Sequence, residues 1–217
     1  MADSLAPTRA VDRALGLLSA AAGSRATLTE LARDTGLAPS TASRLLSALQ
    51  RRDFVRRDAD GRFRAGPELV RLAGETLRGE QSYELAAPHL AQLSATTGET
   101  ANLGIRTGDG VFYVRQAVSP RAVRADTWTG RTVPLDGTAI GAALRGELGA
   151  EGFVVERGAV EPDVTAIAAP FRDHLGRIAG ALSITAPTYR TSGELAAAHG
   201  RELVAHADEL TRELGGR

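Results

Sequence analysis

Small polar side chains and one arginine cluster at the start of a helix-forming segment that begins "PSTASR". Ser40, Thr41 and Ser43 lie within one turn of Arg44, and Pro39 precedes them. Hydroxyl and guanidinium groups hydrogen-bond to phosphates and base edges, and small side chains let a helix approach a DNA groove closely. We therefore expect all five residues to contact DNA.

The segments around this one predict a three-helix arrangement. An amphipathic helix over 8–21 comes first, and its expected apolar face consists of Val11, Ala14, Leu15 and Leu18. Thr29 is the expected N-cap of a short helix over 30–35, and Gly36 supplies the turn before the helix over 39–52. A short helix, a glycine turn and a second helix with a polar outer face indicate a helix-turn-helix, in which Thr29 is also expected to contact DNA.

A basic hairpin follows the third helix. Strands over 54–57 and 62–65 flank an Asp-Ala-Asp-Gly turn, and they carry four arginines: Arg56, Arg57, Arg62 and Arg64. This order makes the domain a winged helix-turn-helix, and we expect Arg62 and Arg64 of the wing to contact DNA.

Composition supports DNA as the partner of the N-terminal third alone. All 26 basic residues are arginine, and the net charge is +4 over 1–79 and −4 over 80–217. The chain has no cysteine, which excludes disulfides and thiolate nucleophiles. It has no apolar run of membrane length and no secretory pattern at its start, so we expect a cytoplasmic protein that does not enter a membrane.

The rest of the chain alternates between strand and helix patterns. We expect a linker helix over 67–79, a helix over 82–97, a hairpin around Gly108-Asp109-Gly110, a third strand over 122–130, a helix over 137–149, two strands around 174–176 and a long closing helix. On the closing helix we expect one apolar face: Leu195, Leu203, Ala207 and Leu210. Hairpin connections predict an α+β fold with a mostly antiparallel sheet.

Residues 8 to about 214 resemble the IclR family of bacterial transcription regulators. The resemblance rests on "RAVDRALGLLSAAAGSRATLTELARDTGLAPSTASRLLSALQRRDFVRR" and on the later "PLDGTAIGAAL" and "IAAPFRDHLGRIAGALSITAP". It implies a winged domain over 6–66, a linker helix over 67–81 and a GAF-like effector-binding domain over 82–217. It also implies homodimers, often paired as tetramers, that bind pseudo-palindromic operators and respond to small organic acids, including aromatic ones.

The resemblance further implies which residues line the effector pocket: Leu135, Gly137, Thr138, Ala139, Glu156, Ala166, Ser183 and Thr185. Helix N-terminal amides and Ser/Thr hydroxyls can hold a carboxylate in an apolar cleft. Trp128 comes just before the pocket loop, and it is either a core aromatic or a ligand or dimer contact.

Two departures from the family leave a second hypothesis open. The segment between the "TAIGAAL" helix and the next strand is shorter than in the family by several tens of residues, and Ala166 stands where the family often has cysteine. The chain is therefore either a ligand-responsive regulator or a constitutive DNA-binding regulator whose shortened C-terminal domain serves mainly dimerisation.

Other chemistry finds little support in the sequence. There is no phosphate-binding loop, no dinucleotide glycine pattern and no nucleophile elbow, so we expect no enzyme activity. His89, His174, His199 and His206 have no ligand-like spacing with carboxylates, so we expect neither a metal nor a cofactor. Asp126 and Asp136 are expected to be turn or surface groups.

Overall fold

The computed structural model describes residues 6–79, 81–125 and 128–216, and side chains at 6–8, 76–79 and 81 are outside that description. The chain divides into two compact units, Met1–Leu77 and Arg78–Arg217. Among the described helices, none combines the length and the apolar character needed to cross a membrane. The α+β class expected from the sequence is confirmed.

The first unit contains four helices and one hairpin. Its elements are α1 (Ala6–Gly23), α2 (Leu28–Asp34), α3 (Pro39–Arg51), β1 (Val55–Arg57), β2 (Phe63–Ala65) and α4 (Pro67–Gly79). β1 and β2 pair antiparallel, and Ala26 adds a bridge to Phe63 on the other side of β2. The three helices, the hairpin and the helix over 67–79 agree with the sequence prediction.

The turn between α2 and α3 follows from two residues. Gly36 has φ 66°, a left-handed conformation that ends α2 at low cost, and the Leu37 N–H donates to the Ala32 carbonyl, 2.8 Å. Pro39 then occupies the first helical position of α3, where its missing N–H costs nothing. Ala42 and Leu46 on the inner face of α3 are fully buried, so the opposite face of the helix points to solvent.

Two expectations for the first unit are wrong. Thr27, not Thr29, is the N-cap of α2: its hydroxyl accepts from the Glu30 N–H, and the Glu30 carboxylate accepts from the Thr27 N–H, 2.7 Å. This reciprocal capping box requires a glutamate three residues after the cap, which Thr29 does not have. On α1 the buried residues are Leu17 and Ala21, whereas Val11 and Leu15 are more than half exposed.

The second unit is a six-stranded sheet with helices on both faces. Its elements are α5 (Gln81–Thr97), β3 (Thr100–Thr107), β4 (Gly110–Ala117), β5 (Thr132–Pro134), α6 (Ala139–Arg145), β6 (Val154–Arg157), β7 (Val164–Arg172), β8 (Ile178–Pro187), a 3-10 turn (Thr188–Arg190) and α7 (Gly193–Glu213). The strands run antiparallel in the order β5-β4-β3-β8-β7-β6.

Four details of the second unit differ from the sequence prediction. The third strand is β5 at 132–134 rather than 122–130, of which 126 and 127 are outside the described residues. The helix expected over 137–149 spans only Ala139–Arg145, because Gly146 takes a left-handed φ of 76° and stops it. β6 is an edge strand that the sequence analysis missed. Leu195 of α7 is exposed, although Leu203, Ala207 and Leu210 are buried as expected.

The two faces of the sheet have different chemistry. Leu103, Leu182 and Ile184 point to the face that packs on α5 and α7, in one continuous apolar core. The residues that alternate with these along the strands, such as Asn102 and Ser183, point to the face that packs on α6. Because side chains alternate along a strand, one sequence of residues builds both a dry core and a polar surface beneath α6.

Close packing fixes the start of α6 on that polar face. A Cβ on Gly141 would lie 1.8 Å from the Leu135 carbonyl oxygen, and the Gly141 N–H donates to the Thr138 hydroxyl, 3.2 Å. Only glycine permits this approach between α6 and the preceding loop.

We therefore expect Gly141→Ala to lower the free energy of unfolding by about 3 kcal/mol, because the methyl group would force backbone to move. Urea denaturation of the intact protein measures the change. Gly193→Ala is the matched control, since no atom lies within 4 Å of its added Cβ and α7 begins there. Equal effects of the two substitutions would show that this contact is not restrictive.

Candidate functional site

The outer face of α3 carries polar groups without partners. Ser40, Ser43 and Arg44 are exposed, and none of their side chains hydrogen-bonds or ion-pairs with any described residue. Thr41 beside them is half-buried. The Ala38 N-cap provides no side-chain acceptor, Pro39 has no N–H, and the Thr41 N–H donates to the Ala38 carbonyl, 2.9 Å. In the first turn of α3 the Ser40 N–H is therefore left available to an anion. The structure thus brings the five residues predicted from "PSTASR" onto one accessible end of a helix.

Thr29 lies on the neighbouring helix α2. Its side chain is exposed and makes no hydrogen bond with a described residue. Thr29 is therefore not a capping residue, and its hydroxyl is available to a partner.

The wing contains an unbalanced pair of positive charges. Arg56 of β1 is directly opposite Arg64 of β2, and both side chains are exposed. No described residue neutralises either guanidinium group. Like charges at directly opposed positions of two strands are destabilising, unless an anion binds between them or beside them.

The other two wing arginines are engaged within the unit. Arg57 donates to the Gly61 carbonyl, 3.0 Å, and lies over the Phe63 ring. Arg62 donates to the Arg25 carbonyl, 3.0 Å, and to the Glu30 carboxylate, 3.2 Å. Arg62, which the sequence analysis assigned to DNA, therefore holds the wing against the start of α2.

Acidic residues near the wing are neutralised by arginines other than the exposed pair. Asp58 ion-pairs with Arg25 and accepts from the Arg62 N–H, and these contacts hold the pKa of the Asp58 carboxyl below its ordinary value. The pKa of Glu30 is lowered by its hydrogen bonds with Thr27 and further by Arg62. Arg44, Arg56 and Arg64 are consequently left with positive charge directed to solvent.

The second unit contains a narrow cleft between α6 and the polar face of the sheet, and the cleft opens partly to solvent. Six of the eight residues that the sequence analysis assigned to a pocket line it: Thr138, Ala139, Glu156, Ala166, Ser183 and Thr185. The other two do not. Leu135 is buried in the core, where its carbonyl accepts from Arg145, and Gly137 is an exposed turn residue with φ 72°.

Further lining residues include three from a segment without a sequence signal, and Trp128, for which the sequence left a ligand contact open. Ala159, Val160 and Glu161 belong to the turn between β6 and β7. Trp128 also lines the cleft, tilted against Tyr113 with ring centroids 5.9 Å apart. The short segment that replaces the expected longer one therefore still forms a wall of the cleft.

Buried polar groups with unmet hydrogen bonds lie on the same face as the cleft. Asn102 is opposite Gln116 on one side and Ser183 on the other, so the three form a row across neighbouring strands. Three atoms are buried and have no hydrogen bond of standard geometry with a described residue: Asn102 Oδ1, Gln116 Nε2 and Ser183 Oγ. Ser183 does interact with the Tyr113 hydroxyl. Leaving such groups unpaired costs free energy, and Ser183, the member of the row that lines the cleft, lies where a polar ligand would relieve that cost.

The charge of the lining is acidic. Glu156 and Glu161 contribute carboxylates, and no arginine is among the described lining residues. Burial raises the pKa of Tyr113 to about 12, so its hydroxyl stays protonated at neutral pH and can donate a hydrogen bond.

The remaining residues that the sequence singled out are two aspartates and the histidines. Asp136 is exposed and ion-paired with Arg145, 3.0 Å, as expected for a surface group, and Asp126 is outside the described residues. The sequence spacing gave no sign that His89 and His206 face each other, which they do with 2.9 Å between their Nδ1 atoms.

Both units match family models of known regulators. The model of the IclR helix-turn-helix domain matches residues 10–59, and the model of the bacterial transcriptional regulator IclR C-terminal domain matches residues 75–151 and 147–212. The chain belongs to the IclR family of bacterial transcriptional regulators. It is accordingly a DNA-binding transcription regulator rather than an enzyme, as the sequence predicts.

Relatives and solved structures agree over nearly the whole length. The HTH-type transcriptional regulator BhcR of Paracoccus denitrificans is 30% identical over 240 aligned positions, covering 94% of this chain and 86% of BhcR. An IclR transcriptional regulator of Alicyclobacillus acidocaldarius superimposes with a TM-score of 0.79 at 26% identity, covering 95% of this chain and 99% of that one.

A third IclR protein shares the fold at lower identity. An IclR homologue of Microbacterium hydrocarbonoxydans, solved in complex with 4-hydroxybenzoate, has a TM-score of 0.77 at 20% identity, covering 94% of this chain and 99% of that one.

The shortened segment is visible in these matches. The C-terminal family model matches in two pieces that meet at 147–151, directly after α6, and the BhcR alignment of 240 positions is longer than the 217-residue chain. The place agrees with the departure that the sequence analysis identified between α6 and β7.

The capping box generates a prediction with an internal control. Thr27→Ala should lower the free energy of unfolding by about 1 kcal/mol, because α2 loses its N-cap, whereas Thr29→Ala should change it by less than about 0.5 kcal/mol. Urea denaturation followed by circular dichroism gives both values.

The pH dependence of this difference has a definite sign. The cap holds the pKa of Glu30 below its ordinary value. The stabilisation that the ionised carboxylate provides is therefore fully present above the ordinary pKa of glutamate, and it is lost as the pH falls through the pKa of Glu30 in the folded protein. The cost of Thr27→Ala should therefore shrink in acid. Equal costs for Thr27→Ala and Thr29→Ala at neutral pH would contradict the assignment of Thr27 as the cap.

Proposed function

We propose that this protein is a ligand-responsive regulator in which α3 recognises an operator and occupation of the cleft changes operator affinity. The opposed, unneutralised Arg56 and Arg64 carry the DNA side of the proposal, because their repulsion is relieved by a phosphate. Ser183, the member of the buried polar row that lines the cleft, carries the ligand side.

On the DNA side, α3 enters the major groove of double-stranded DNA with its N-terminal end first. Arg44 contacts a guanine edge, while the small side chains of Pro39, Ser40, Thr41 and Ser43 allow close approach and contact phosphates. Thr29 on α2 adds a backbone contact, and Arg64 supplies wing attraction. Arg62 contributes through its position, because its bonds with Glu30 and the Arg25 carbonyl hold the wing in place.

On the ligand side, the effector is a small organic acid. An aromatic ring would pack on Trp128 and Tyr113, and a carboxylate would accept from the hydroxyls of Ser183 and Thr185. The acidic Glu156 would then accept a hydrogen bond from a hydroxyl of the same ligand rather than meet a second carboxylate. The fold neighbour with 4-hydroxybenzoate, an aromatic acid with a hydroxyl, supports this class.

The assembly is a homodimer, or a dimer of such dimers, on a pseudo-palindromic operator. Val11 and Leu15, one turn apart on α1, are 57% and 55% exposed, which is costly for an isolated copy. A second copy that covers them would place two α3 helices on one DNA duplex.

The alternative is a constitutive regulator whose second unit serves dimerisation. Its support is the shortened segment between α6 and β7. The two hypotheses differ in one observable: a cleft without a ligand function gives no thermal stabilisation with any acid, because only a ligand that binds the native state raises its melting temperature.

Arg44 gives the test on DNA. Arg44→Ala should cost about 1–3 kcal/mol on the correct operator and much less on random DNA, because a base contact is lost. Fluorescence anisotropy with DNA from upstream of its own gene measures both affinities.

Arg44→Lys is the matched control, since it keeps the charge and loses the two-pronged geometry. Lysine should retain binding to random DNA and lose operator preference. If Arg44→Ala weakens both DNAs equally and Arg44→Lys restores both, Arg44 is a phosphate contact instead.

Ser183 gives the test on the ligand. Ser183→Ala should shift the melting temperature of the free protein by no more than a few degrees, because its hydroxyl interacts only weakly with Tyr113. The same change should abolish most of the stabilisation found in a thermal-shift panel of aromatic and aliphatic acids and their matched amides and alcohols.

Thr96→Ala is the control for this experiment, because Thr96 is exposed on α5 and does not line the cleft. It should respond to ligand like the unchanged protein. Stabilisation by amides or alcohols but not by acids would overturn the acid class, and stabilisation that survives Ser183→Ala would place the ligand outside this cleft.

A further inference from the structure

Two histidines from different helices meet in the second unit, away from the cleft. His89 of α5 is buried, and its Nδ1 lies 2.9 Å from Nδ1 of His206 on α7. The rings approach edge to edge, with an interplanar angle of 75° and centroids 5.2 Å apart. Their nitrogens, rather than their faces, are therefore turned toward each other.

A carboxylate selects the tautomer of the His89 ring. Its other ring nitrogen, Nε2, lies 3.2 Å from Glu213 Oε2, so Nε2 carries the proton and donates to the carboxylate. The Nδ1 of neutral His89 then has a free lone pair directed at His206. A histidine that donates one N–H to a carboxylate and offers the other nitrogen is the arrangement found around protein-bound zinc.

The distance between the nitrogens suits two ligands of one ion. Zinc–nitrogen bonds of about 2.05 Å place two histidine nitrogens about 3.3 Å apart at a tetrahedral angle. From the observed 2.9 Å, coordination requires a separation of a few tenths of an ångström and a rotation of the rings that directs both lone pairs to the ion. Without a metal, one Nδ1 must be protonated and donate to the other, which is the hydrogen bond that the structure contains.

A third ligand is present on α7. A carboxylate oxygen of Glu209 and one ring nitrogen from each histidine all lie within 4.8 Å of one another. Glu209 follows His206 by three residues, so both side chains are on the same face of the helix.

We propose that His89, His206 and Glu209 form a binding site for a divalent transition-metal ion of the zinc class, and that the ion ties α5 to α7. Two imidazoles and one carboxylate favour zinc over magnesium or calcium, which prefer oxygen ligands. Glu213 is a positioning residue, because it contacts His89 and not the ion. The fourth coordination position is open to water.

The rival explanation is a hydrogen-bonded pair of neutral histidines that serves packing alone. The two explanations separate on metal affinity, because a packing pair gains nothing from zinc. The experiment uses the full-length chain without an affinity tag, freed of metal with a chelator and then titrated with Zn²⁺ by calorimetry. Co²⁺ absorption in the visible range reports the geometry of the site.

The unchanged protein should bind one Zn²⁺ per chain with a dissociation constant on the order of 1 µM or tighter, and its melting temperature should rise by about 5 °C. His206→Asn should weaken binding by about 100-fold or more. Glu213→Gln should weaken it by about 10–100-fold, the range for a group that orients a ligand. Circular dichroism verifies that each variant remains folded.

His174→Asn is the matched control, since His174 is exposed in the turn between β7 and β8. It should bind Zn²⁺ like the unchanged protein. The proposal is overturned if the unchanged protein shows no stoichiometric Zn²⁺ binding, or if His206→Asn binds as tightly as it does. It is equally overturned if only His174→Asn lowers the affinity.

Discussion

The second unit depends on one constraint, which is that strands β3, β8 and β7 are covered on both faces. Apolar side chains such as Leu103 and Ile184 alternate with small or polar ones such as Asn102 and Ser183, so one face is a dry core and the other can hold a ligand. A shift of one residue in register would exchange the two sets. The stability of the unit and the chemistry of its cleft are therefore set by the same pairing.

In the first unit, ion pairs engage some of the arginines and leave other positive charges exposed to solvent. Its acidic residues near the wing are engaged by Arg25 and Arg62, and these pairs link the wing to the start of α2. Other charges remain, among them those on Arg44, Arg56 and Arg64, which have no described partner. Some arginines thus form ion pairs within the folded unit, and others are available to bind a polyanion.

Elements with a local signal could be predicted from the sequence, and contacts between distant segments could not. The Gly36 turn and the Pro39 start of α3 follow from backbone restrictions that act within a few residues. Thr27 could have been identified as the N-cap from its spacing to Glu30, because Glu30 follows Thr27 by three residues and Thr29 by only one. The contacts that sequence spacing could not reveal were the wing anchoring by Arg62, the cleft wall from 159–161 and the pairing of His89 with His206.

The most direct test of the account is the thermodynamic coupling between the cleft and the DNA. Operator affinity is measured by fluorescence anisotropy with and without a saturating effector, and effector affinity is measured with and without saturating operator. If occupation of the cleft controls DNA binding, both affinities change by the same factor, about 5–150-fold, because coupling between two sites is reciprocal. An effector that saturates the cleft while operator affinity stays unchanged would contradict the account.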